Sequence, residues 1–93
     1  MTPTNRTATI VVAPGVLPLD EATKIAKAYG CAAINREWTG GLDEIMPSTL
    51  LLTMNEGMLR QGALSGRTFG FPVRVVTYKV AMEMVKIDEE GRA

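Results

Sequence analysis

The sequence predicts a small α/β domain: a two-layer sandwich whose mixed sheet has four or five strands, with one well-formed helix and one short helix. An α+β arrangement is the alternative. Three observations carry the prediction. Short apolar or β-branched runs recur at Ala8–Ala13, Cys31–Ile34, Thr49–Met54 and from Val73 onward. Between the first two runs lies a stripe of helical period. The length, 93 residues, leaves room for one core, so residues 1–93 form a single domain, with 1–6 and 89–93 as loose ends.

Met1 to Arg6 is polar and holds Pro3, which suits an unanchored end. Ala8 to Ala13 is an apolar run halted by Pro14-Gly15 and reads as a buried strand. Pro18 suits a first helical position, and Asp20 and Glu21 complement the helix dipole behind it. Leu19, Ala22, Ile25 and Tyr29 form one stripe opposite Lys24 and Lys27, and Gly30 suits the C-terminal cap. Cys31 to Ile34 returns as a strand. If parallel, this strand–helix–strand unit crosses over right-handed.

Asn35 to Pro47 is polar and aperiodic, broken by Gly40-Gly41, with Leu42–Met46 able to form one helical turn. Thr49 to Met54 reads as a buried strand, and Asn55 as the cap of a short helix over Glu56–Gln61, closed by Gly62. Gly66 to Phe71 is a turn. Gly70 to Asp88 then reads as one long strand, because Val76, Tyr78, Val80, Met82 and Met84 alternate with Thr77, Lys79 and Glu83. Parity slips at Val73/Val75 and Val85/Ile87 imply a bulge or bend. A helix over 79–90 competes, since Ala, Met, Glu and Lys favour it. The β-branched and aromatic content of Val73–Val80 tips the balance to strand. The tail from Asp88 is solvated.

Ten basic and ten acidic residues cancel, and neither sign forms a long block. That balance argues against a general nucleic-acid or anionic-membrane binder, which needs a concentrated positive face. One cysteine rules out an internal disulfide and suits a reducing compartment, so a cytoplasmic location is expected. No leader or membrane-spanning run is visible. The chain has no histidine. Triads and zinc sites thereby lose their usual residue, and neither a metal nor a cofactor is expected.

Several motifs tempt. Gly62 to Thr68 looks like a phosphate loop, but its spacing is one residue short, and it leaves a helix rather than a strand. Arg67-Thr68-Phe69-Gly70-Phe71 echoes the base-stacking strand of RNA-recognition domains, with Thr68 where glycine belongs and Pro72 removing a ladder donor. Cys31 has no basic neighbour in sequence and reads as an inert thiol. Asp43-Glu44 lacks the spacing of a calcium loop. Met46, Met54, Met58, Met82 and Met84 read chiefly as core filler, with a minority free to line an interface.

The most informative placement is positional. If the first three strands run parallel, their carboxyl ends lead into Pro14-Gly15, Asn35–Trp38 and Met54–Glu56, the edge where open α/β sheets bind ligands. Candidate ligand- or partner-binding residues are therefore Asn35, Arg36, Trp38, Asn55 and Glu56. Arg36 offers a planar fork, Trp38 a flat apolar surface, and the asparagines paired amides. The competing reading caps the core with Trp38 and pairs Arg36 with Glu37 or Asp43. Tyr78, Met82 and Met84 are the candidate interface strand.

These features point to a non-catalytic binding module that occupies a partner protein and forms a homo-oligomer, an accessory protein of the size and kind frequent in phages and mobile elements. The alternative is a protein that binds or sequesters a nucleotide or other small anion at Asn35–Trp38. Catalysis ranks last. Its best carboxylate, Glu56, follows a strand directly, but a helix dipole there would lower its pKa.

Overall fold

A computed structural model describes residues 6–38, 41–54 and 70–92. The chain forms β1 (Ala8–Val12), α1 (Leu19–Ala28), β2 (Ala33–Asn35), a 3₁₀ turn (Leu42–Glu44), β3 (Thr49–Thr53), β4 (Val73–Thr77) and α2 (Tyr78–Arg92). The strands make one sheet in the order β2-β3-β1-β4, and all three pairings are parallel. The α/β class and the four strands found among the described residues agree with the sequence. The sequence predicts mixed strand directions, but no antiparallel pair occurs among the described residues.

β1 lies inside the sheet, so both of its faces are covered and it reads as an unbroken apolar run. Ile10 stands opposite Leu51 on one side and Val75 on the other. The ladder continues past the strand ends, with the Ala13 N–H donating to the Thr53 carbonyl at 2.8 Å and the Ala8 N–H to that of Pro72 at 3.0 Å. On one face Val11, Leu50 and Leu52 pack under Ala22 and Ile25 of α1, Tyr29 at its C-cap, and Ala81 and Val85 of α2. On the other, Ile10, Val12, Leu51 and Val73 pack with Trp38 and Ile45.

α1 begins one residue after Pro18, whose carbonyl accepts the first helical bond from the Ala22 N–H at 3.0 Å. At its end Gly30 takes φ 72°, the left-handed conformation that only glycine adopts without penalty. The Cys31 N–H then donates to Ala26 at 2.7 Å and the Gly30 N–H to Lys27 at 3.2 Å, the paired bonds of a Schellman cap. β2 spans only three residues. The Ser48 carbonyl accepts from both Ala32 and Ala33, and so fixes the start of β2 against β3.

The long final strand does not form. β4 stops at Thr77, and Tyr78–Arg92 is helix, so Tyr78, Met82 and Met84 belong to α2 and not to an interface strand. The local cause is Thr77, whose Oγ1 accepts from the Val80 N–H at 3.2 Å and caps the new helix. Tyr78, Ala81, Met82 and Val85 then place an apolar face on the core at helical spacing. Residues 88–92, a solvated tail by sequence, complete the helix. The short helix expected over Glu56–Gln61, the Gly62–Thr68 turn and Phe69 lie outside the described residues. Among the described residues no helix is long and apolar enough to cross a membrane.

Candidate functional site

The parallel sheet brings three carboxyl ends to one edge: Val12 leading to Gly15–Leu17, Asn35 leading to Arg36–Trp38, and Thr53 leading to Met54. After β1 the chain leaves toward the helix layer. After β2 it leaves toward the opposite face, where Trp38 and Ile45 are buried. Connections departing to opposite faces open a crevice between them, the switch point at which open α/β sheets take ligands. The crevice above β3, of about 320 Å³, is lined by Val16, Leu17, Arg36, Trp38, Leu52 and Met54, among others. A second, shallower recess of about 410 Å³ adjoins it, walled by Val16, Leu19, Ile34 and Asn35–Glu37.

Three of the five candidate residues, Asn35, Arg36 and Trp38, have a defined part in this edge. The Asn35 side-chain oxygen accepts from the Glu37 N–H at 3.1 Å, so Asn35 shapes the turn that presents Arg36. The exposed Arg36 is the only cation lining either recess among the described residues. Trp38 is 5% exposed, and its indole N–H donates to the Gly41 carbonyl at 2.9 Å. It belongs to the core beneath the sheet, with one edge reaching the crevice. Asn55 and Glu56 lie outside the described residues.

Sequence reasoning missed the apolar rim. Val16, Leu19 and Met54 are exposed by 75%, 57% and 61%, and all three border the crevice or its neighbouring recess. Val16 and Met54 lie in the segments that follow β1 and β3, whereas Leu19, placed by its spacing on the apolar stripe of α1, opens that helix with its side chain exposed rather than on the core.

No family model, curated protein or solved structure matches the chain.

The electrostatics of the edge narrow its chemistry. A helix N-terminus beside the crevice would ordinarily attract anions. In α1 that end is occupied by its own acids: Asp20 and Glu21 stand in the first turn, and Asp20 accepts from the Glu21 N–H at 3.0 Å. Pro18 has no N–H to offer. Among the described residues, an anion at this edge would have Arg36 alone as its cation, next to Glu37. The pKa values of three groups elsewhere are raised: Tyr78 by its hydrogen bond to Glu21, and Tyr29 and Cys31 by burial. Among the described residues no three Cys, Asp or Glu side chains gather into a metal-binding group.

Proposed function

We propose that this protein is a non-catalytic binding module that occupies a partner protein through the carboxyl edge of its sheet, and that it self-associates. The observation that carries the partner half is the exposed aliphatic rim of Val16, Leu19 and Met54 around Arg36. Large exposed apolar side chains bordering two adjoining recesses, with an arginine between them, suit an interaction surface. A reducing, cytoplasmic setting suits the protein, whose one thiol is kept protonated by burial.

The test compares proteins captured by the wild type with those captured by Val16→Asp and Met54→Asp variants of equal thermal stability. Partners retained by the wild type and lost by both variants support the reading. Identical capture by all three refutes it.

The crevice at the switch point favours a second reading, a small anionic ligand held by Arg36. A metabolite and nucleotide screen read by melting temperature tests it. A ligand that stabilises the wild type but not Arg36→Ala would put this reading first.

A further inference from the structure

We propose that the crevice above β3 takes a free α-amino acid with an apolar side chain, its carboxylate on Arg36 and its ammonium on Glu37. The proposal rests on the small-ligand reading of that crevice and names the class of ligand. Arg36 and Glu37 each line both the crevice and the recess beside it, and among the described residues they are the only charged side chains that do so. Both are exposed. The sequence allows Arg36 to pair with Glu37 or Asp43, but among the described residues the side chains of Arg36 and Glu37 make neither an ion pair nor a hydrogen bond. A cation and an anion therefore stand side by side at the crevice, each available to a ligand.

The turn that carries them is fixed. Asn35 ends β2, and its side-chain oxygen holds the Glu37 N–H at 3.1 Å, which closes the backbone around Arg36. The rest of the crevice is largely aliphatic. Leu17 and Leu52 are buried in its floor, while Val16 and Met54 stand exposed beside it. At about 320 Å³ it lies at the lower end of small-molecule sites, with room for one amino acid.

Charge selects among small ligands. The lining carries one positive and one negative group and hence no net charge. A nucleotide would bring a phosphate dianion to that neutral lining, beside Glu37. The first turn of α1 adds no pull, because Asp20 and Glu21 already offset its dipole. A plain carboxylic acid satisfies Arg36 but sets its charge next to Glu37, and a plain amine has the reverse fault. An α-amino acid carries both charges on neighbouring atoms of one small body. The planar guanidinium can fork its carboxylate, the Glu37 carboxylate can accept from its ammonium, and its side chain can cover Val16 and Met54.

Amide NMR titrations of the intact, nitrogen-labelled chain test the assignment. The probes are L-leucine, its deaminated analogue isocaproate, its decarboxylated analogue isoamylamine, and adenosine monophosphate. L-leucine is expected to shift the amides of Val16, Arg36 and Glu37 and the indole N–H of Trp38, with a Kd of about 1 mM or below. Isocaproate and isoamylamine should each bind at least about tenfold more weakly, since each leaves one charged group without its partner. Glu37→Gln should bring leucine down to the level of isocaproate, and Arg36→Gln to that of isoamylamine. Both positions are exposed, so the variants keep the fold. Equal binding of leucine and isocaproate by the wild type refutes the amino-acid assignment and leaves an anion on Arg36 standing. Shifts with adenosine monophosphate but none with leucine do the same. No shift with any of the four probes refutes the small-ligand reading together with this one.

Discussion

The phenol of Tyr78 donates a hydrogen bond to the carboxylate of Glu21, and so ties the first turn of α2 to the first turn of α1 across 57 positions of sequence. Replacing the phenol by Tyr78→Phe should cost about 0.5–1 kcal/mol, read as a lower urea midpoint with an unchanged slope. An unchanged midpoint would mean that water satisfies both groups equally well.

The same bond makes stability depend on alkaline pH. The pKa of Tyr78 is raised by the bond to Glu21, that of Tyr29 by burial, and that of Cys31 by burial. Between the ordinary and the raised values the folded state holds protons that the unfolded state has released. Stability is then full below the ordinary thiol and phenol values and falls as pH rises through the raised ones. Thermal midpoints should decline steadily above about pH 9, and less steeply in Tyr78→Phe. A flat profile to about pH 11 would contradict the assignment.

Thr9 is fully buried on the helix face of β1, and its hydroxyl, which lies by the Cys31 thiol, has no conventional hydrogen bond among the described residues. Thr9→Val keeps the shape and removes an unsatisfied polar atom. It should leave stability unchanged or raise it by about 1 kcal/mol. A loss of more than about 1 kcal/mol would show that the hydroxyl has a partner, in practice a bound water.

Trp38 offers a built-in probe. Its native fluorescence should be blue-shifted and should move to the red on unfolding. Trp38→Phe retains most of the burial but loses the bond to Gly41, whereas Trp38→Ala leaves a cavity costing about 3–5 kcal/mol. Near-equal costs for the two substitutions would overturn its placement in the core.

Gly30 should tolerate no side chain. Its φ of 72° makes Gly30→Ala cost about 1–2 kcal/mol, measurable in the same urea titrations. A neutral result would mean that α1 ends differently in solution.

Much of the architecture is readable because its local signals agree. Ala8–Val12 and Thr49–Thr53 are apolar runs bounded by turn residues, and α1 carries stripe, acidic first turn and glycine cap together. The passage from β4 into α2 reads wrongly as strand because two periods overlap there. Tyr78, Val80, Met82 and Met84 alternate as a strand would, while Tyr78, Ala81, Met82 and Val85 repeat as a helix does. Thr77 followed by helix formers was the missed signal, and its capping bond shows why the chain turns there. The sequence places Asn35 and Arg36 at the carboxyl edge of the sheet, and there they lie. Trp38 cannot be assigned a face from sequence, since that depends on which way the chain leaves β2.

The order β2-β3-β1-β4 sets a condition on how the protein is made. β1 precedes both of its neighbours in the chain, and it pairs Ala8 with Val73, 65 positions later. A parallel strand has no adjacent hairpin in which to wait. While the polypeptide is being synthesised, β1 therefore emerges with two bare edges and stays incompletely paired until β4 is exposed. Folding is committed late and rests on distant contacts, which makes it slow. Any chain cut short before β4 would carry an open, apolar central strand, a sticky target for aggregation or for chaperones.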